Sequence, residues 1–164
     1  MTYDSRLDTH QHIARVRHYM LKVVSDLLAR LQAHDLSKLE SPEKEVFDRF
    51  TPLLAESTYG SDEYKSFLAG MSEGLKHHYR ENSHHPEHYA FEFGEVNPEL
   101  VHNGTGIRGM SLLDVIEMLC DWKAATERHN DGDIRRSIEH NQKRFGYSED
   151  LKSVLLQTLG TIEG

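Results

Sequence analysis

Apolar residues recur at three- and four-residue steps along most of the chain, the spacing of helices with one buried face. Ile13, Val16, Met20, Val23, Leu27 and Leu31 form the first such stripe. Ser25-Asp26 has the chemistry of a helix N-cap, which predicts a break within this stripe. Ser41-Pro42-Glu43 starts a second helix, with Pro at the first helical position, carrying Val46, Phe47, Phe50, Leu53 and Leu54. Gly60-Ser61-Asp62 ends that element and caps the next, predicted to run through Tyr64, Phe67, Leu68, Met71 and Leu75 to about Tyr79. Pro86 opens a short helix within the histidine-rich turn at 83–89.

Over 90–109 the periodicity lapses while Gly94, Pro98, Gly104, Gly106 and Gly109 accumulate. That composition predicts a surface loop or lid. Ser111 caps a strong helix, with Asp114 completing a capping box, and the apolar face continues through Ile116, Met118, Leu119, Trp122 and Ala125. Asn130-Asp131-Gly132-Asp133 reads as a turn. Two last helices follow, from Ile134 to Phe145 and from Ser148 to about Leu159. The pattern predicts one all-α domain over residues 1–164, a bundle of six or seven helices without a convincing strand.

Composition narrows the function classes. A chain of 164 residues with 37% hydrophobic and 28% charged residues suits a single globular domain. No apolar run is long enough for a membrane span, and the first residues carry no signal or transit pattern. Cys120 is the only cysteine, so no disulfide forms within the chain and a cytoplasmic setting is the expectation. A formal charge of −8 argues against generic nucleic-acid binding, which needs a basic face. Small anions stay within reach if a metal and local cations offset the repulsion.

Twelve histidines raise metal chemistry directly. His34-Asp35, within His34-Asp35-Leu36-Ser37-Lys38, pairs an imidazole with a carboxylate, a donor set for Mn, Fe, Co, Ni, Zn or Mg. As a bare dipeptide it reads more readily as a capping Asp beside a surface His. His12 precedes His34 by 22 residues on the same stripe. One straight helix would hold them about 33 Å apart, so the two share an ion only if the chain folds back near Ser25. His10 and His18 compete with His12, and spacing does not choose among them. Asp121 sits mid-helix beside apolar Met118 and Ala125, where a carboxylate needs a metal or a cation as partner.

The ordered set His12, His34-Asp35 and Asp121 resembles the H…HD…D signature of the HD superfamily of metal-dependent phosphohydrolases. Further strings resemble an uncharacterised family of HD-like proteins from bacteria and their phages: Asp8-Thr9, Tyr59 to Lys65, His77-His78-Tyr79, Asn82 to His88 and the run Glu117 to Ile134. The resemblance implies a helical bundle in which His12, His34, Asp35 and Asp121 ligate one divalent cation. It also implies a metal-activated water attacking a phosphate ester, commonly a nucleotide, with Asp35 or a nearby histidine handling protons and Lys38 facing the phosphate. Some HD enzymes use additional histidines for a second metal. Here His78 with His84 or His85 could do so, or those residues contact substrate or supply a general acid. His77 and His88 are not expected to be ligands. Alternatives of other classes are a di-iron oxygenase and a non-catalytic module that senses a nucleotide or engages a host factor. A homo-oligomer is compatible with each.

Overall fold

The stripe from Ile13 to Leu31 lies on one unbroken helix, α1 (Arg6–Ala33), in the computed structural model. Ser25-Asp26 does not interrupt it. Asp26 instead pairs with Arg30 one turn later, so the residue with capping chemistry serves as an i,i+4 partner. The structure describes residues 3–57, 61–128 and 132–164; the predicted turn residues Asn130 and Asp131, and Gly60 of the predicted cap, lie outside them. Two compact units are formed, Met1–His34 and Asp35–Gly164. Helix α1 makes up nearly all of the first, and none of its residues is buried.

Among the described residues, the second unit consists of helices joined by turns, with one small hairpin. A 3₁₀ turn (Leu36–Leu39) leads into α2 (Glu43–Glu56), followed by α3 (Asp62–Gly70) and α4 (Ser72–Glu81). The sequence pattern predicted α3 and α4 as one helix; Met71, buried with ψ near 0°, separates them. Gly70 and Gly74 explain the close approach to α2. A Cβ at Gly70 would come within 2.6 Å of the Phe50 ring, and one at Gly74 within 2.8 Å of Val46.

The segment expected to be a loop or lid over 90–109 is instead structured. A second 3₁₀ turn (Pro86–Ala90) feeds the antiparallel pair β1 (Phe91–Glu92) and β2 (Glu95–Val96), with Phe91 opposite Val96. Helices α5 (Pro98–His102), capped by Asn97, and α6 (Thr105–Gly109) follow, and Val101 and Ile107 are buried. The glycines read as loop formers are contact points. A Cβ at Gly106 would lie 2.3 Å from the Pro86 carbonyl oxygen, and one at Gly109 would meet the Tyr89 ring at 2.6 Å. Gly106→Ala is therefore expected to destabilise the protein by about 2 kcal/mol, as overpacking does. An unchanged midpoint in chemical denaturation would refute that account.

Helices α7 (Leu112–Thr126), α8 (Ile134–Phe145) and α9 (Glu149–Ile162) build the main core from Val115, Met118, Leu119, Ile138, Phe145, Leu155 and Leu159. Trp122 stacks on Phe145 at 5.9 Å and packs against this core. The predicted capping box at Ser111 and Asp114 is present. The fold is all-α, with nine α-helices among the described residues. The count exceeds the expected six or seven because α3 and α4 are separate helices and because the supposed loop holds two helices of five residues. No helix among those residues is long and apolar enough to cross a membrane.

Candidate metal centre

Three short segments of the second unit supply the site. Asp35 follows the C-terminal residue of α1's cap and adopts a left-handed conformation, φ 57° and ψ 13°. Asp is among the few L-residues that tolerate it. Its carbonyl accepts the Lys38 amide at 3.0 Å, which closes the 3₁₀ turn and fixes the carboxylate. His78 projects from the last turn of α4. His84 and His85 lie just before the turn that Pro86 opens, and Ser83 beside them donates to Asp114 Oδ1 at 2.6 Å. Tyr89 donates to the other Asp114 oxygen at 3.0 Å. The buried capping-box carboxylate of α7 thus anchors both ends of the histidine-rich turn.

These segments bring Asp35, His78, His84 and His85 together, with one donor atom from each within 4.8 Å of all the others. Asp35 Oδ1 lies 3.5 Å from both His78 Nε2 and His84 Nε2. That is longer than a good N–H···O bond. It matches the roughly 3.4 Å edge of a tetrahedron whose ligands lie about 2.1 Å from a central ion. His78 Nε2 and His85 Nε2 are 2.9 Å apart, an approach that needs a proton or a cation between two ring nitrogens.

The backs of the rings are held by carboxylates. His78 Nδ1 donates to Glu43 Oε2 at 2.8 Å, and His84 Nδ1 lies 3.2 Å from Glu117 Oε1. Glu43 is fully buried; it also takes a hydrogen bond from Ser37 Oγ at 3.0 Å, and its other oxygen meets His77 Nδ1 at 2.8 Å. A carboxylate behind Nδ1 fixes the tautomer and leaves the Nε2 lone pair for a metal. Both His78 and His84 are almost wholly buried. Burial, then the nearby Lys38 charge, lowers the pKa of His78. Burial and the surrounding His84, His78 and Lys38 hold that of His85 well below the ordinary histidine range. Neutral imidazoles are the ligand form. Lys38 Nζ sits 2.5 Å from Asp35 Oδ2 and 5.1 Å above the Phe47 ring.

The donor set therefore fits a divalent cation: one carboxylate, three imidazoles and two carboxylates behind the rings. Of the four residues expected to ligate it, Asp35 is in the cluster. Asp121, on α7, brings a carboxylate oxygen within 4.8 Å of one from Asp35. His34 ends α1, its amide bonded to Arg30 O at 2.8 Å. His12 requires a correction. Because α1 is unbroken, about 33 Å of helix separates it from His34, and one chain cannot present both to one ion. His77 Nδ1 meets Glu43 Oε1 at 2.8 Å, and His88 Nδ1 bonds the Tyr79 carbonyl at 2.9 Å. Glu43 and Glu117 were not anticipated. Glu117 had one signal, since it precedes Asp121 by a single helical turn.

The model of a family of unknown function, DUF5662, matches residues 1–161. The chain belongs to that family. The match takes in every residue of the cluster and all of α1. No curated protein and no solved structure matches the chain, so DUF5662 membership brings no activity with it, and the side-chain geometry carries the functional argument.

Proposed function

We propose that the protein is a divalent-metal-dependent phosphohydrolase acting on a small phosphate ester, a nucleotide being the leading substrate class. The observation that carries the reading is the convergence of Asp35 Oδ1, His78 Nε2 and His84 Nε2, with Glu43 and Glu117 behind the two rings. Such a centre, when loaded with Mn, Fe, Co, Ni, Zn or Mg, supplies a water nucleophile at neutral pH and polarises a phosphoryl oxygen.

The chain's own groups have distinct tasks around it. Asp35, His78 and His84 hold the ion. Glu43 and Glu117 keep the two imidazoles in the tautomer that presents Nε2. Lys38 exchanges its Asp35 contact for a phosphate oxygen and supplies a local cation in an acidic chain. His85, neutral and at the same point, accepts a hydrogen bond at Nε2 from the attacking water and orients it.

Purified protein loaded with Mn2+ or Co2+ is expected to release phosphate from members of a nucleotide and phosphomonoester panel. His84→Ala is expected to lower that rate by at least about 100-fold. No release from any panel member, with His84→Ala indistinguishable from the parent, would defeat the proposal. The proximity of Asp35 and Asp121 carboxylates favours a second reading, in which the two would help to hold a second ion. Two irons per chain by elemental analysis would turn that reading toward oxygen chemistry.

A further inference from the structure

Arg144 lies in the last turn of α8, two residues before Gly146, whose left-handed conformation (φ 62°) closes the helix. Its backbone is fixed there. The Arg144 carbonyl accepts from His102 Nδ1 at 2.7 Å, and a Cβ at Gly146 would lie 2.2 Å from the His102 carbonyl oxygen. The guanidinium lies 4.7 Å from the centre of the Phe145 ring, itself stacked with Trp122. Arginine in a last helical turn commonly serves the helix itself, through the last carbonyls or the dipole. This one is committed elsewhere. Nη2 donates to Glu87 Oε1 at 2.6 Å, across 57 residues of sequence, and the guanidinium also donates to the Tyr79 hydroxyl.

Both contacts lead to His85. Glu87 follows it by two residues in the turn that Pro86 opens, with a side chain only 5% exposed. The Tyr79 ring lies 5.2 Å from the His85 ring, which stands 4.7 Å from that of His78 and 4.2 Å from that of His84. The other two imidazoles each have a carboxylate at Nδ1, Glu43 for His78 and Glu117 for His84. Among the described residues His85 has no such carboxylate, and its ring hydrogen bond runs from Nε2 to His78. Its orientation therefore depends on its neighbours, and Arg144 holds one through the turn and one against the ring.

Stability alone does not account for the arrangement. Apolar residues of similar volume replace a buried ion pair at little or no cost. Glu87 Oε2, moreover, has no hydrogen-bond partner among the described residues. A half-matched pair that ties the end of α8 to the histidine turn serves orientation better than it serves the fold. We propose that Arg144 is a positioning residue, which acts through Glu87 and Tyr79 to aim His85 Nε2 at the attacking water. The effect on turnover rests on the function proposed above; the hold on His85 rests on these contacts alone.

Full-length protein carrying 15N in its histidine rings tests that hold in chelator, with no metal bound. His85→Gln identifies the His85 ring signals by nuclear magnetic resonance. Arg144→Met leaves Glu87 buried without its cation, which endangers the fold, so the Glu87→Leu, Arg144→Met double variant removes the pair as a whole. Its melting temperature is expected to match the parent's, while its His85 signals average between tautomers and those of His78 and His84 stay in place. Loaded with Co2+, it should turn over a phosphate ester about 100-fold more slowly, the scale of a misplaced reacting group, at Co2+ affinity within about 3-fold of the parent, since the ligands keep their carboxylates. Tyr79→Phe removes one contact and should show an intermediate loss, about 10-fold. Parental His85 signals in both variants overturn the proposal. Turnover that recovers with the melting temperature makes the pair structural and overturns it as well. So does a loss of Co2+ affinity as large as the loss of turnover. A parent inactive on every ester removes the phosphohydrolase reading instead, and the ring signals then decide the hold on His85 by themselves.

Discussion

Asp35→Ala is expected to weaken Co2+ or Mn2+ binding by more than about 100-fold, beyond the 10–100-fold typical of residues that only support a metal ligand. Two losses combine. The cluster gives up Oδ1, the atom 3.5 Å from both His78 Nε2 and His84 Nε2. It also gives up the charge that faces Lys38 Nζ at 2.5 Å, so a cation must enter beside an uncompensated ammonium. Asp35→Asn separates these contributions from backbone strain. Asn accepts the left-handed conformation at this position and keeps a neutral oxygen donor, so an intermediate loss is expected. His88→Ala is the control, since its ring is engaged with the Tyr79 carbonyl and affinity should not move. Calorimetric titration of the three variants reads the order directly; parental affinity in Asp35→Ala would rule Asp35 out as a ligand.

How much of this centre could be read from the chain depended on how local each signal was. Ser111 with Asp114, Pro86 opening a turn, and the span of α8 are set by neighbours within four residues, and each is where the sequence places it. Asp35, His78, His84 and His85 were visible as candidates because their residue types are uncommon in such density. Their assembly was not visible. His78 finds Glu43 across 35 residues and His84 finds Glu117 across 33, and no periodicity encodes partners on different helices. The misreadings share a cause. Ser25-Asp26 has capping chemistry, but an uninterrupted apolar stripe outweighs one capping side chain. Gly106 and Gly109 look like loop residues, yet they are small because Pro86 and Tyr89 leave no room for a Cβ. Composition reports what a residue permits; only the packing reports which of those permissions is used.

Glu43→Ala is expected to lower stability even with every metal chelated. Glu43 is fully buried at the start of α2, and its two oxygens accept from Ser37, His77 and His78. Removing them leaves the buried His78 N–H without its acceptor, a loss of about 1–3 kcal/mol. The missing side chain also leaves a small cavity between α2 and α4, and the hydrogen bonds of half-buried Ser37 and His77 go with it. A total of about 3 kcal/mol follows, or a fall in melting temperature of roughly 6–12 °C for a chain of this size. Glu43→Gln preserves the volume but sets an amide N–H₂ against imidazole donors, so it should recover only part of the loss. The same variants report on function separately. With the ring of His78 free to take either tautomer, Co2+ affinity should drop by about 10–100-fold at a temperature where the variant is still folded. Thermal melts with and without chelator distinguish the two effects: a shift that vanishes when the metal is removed would mean that Glu43 acts only through the ion, and that the buried hydrogen bonds contribute nothing of their own.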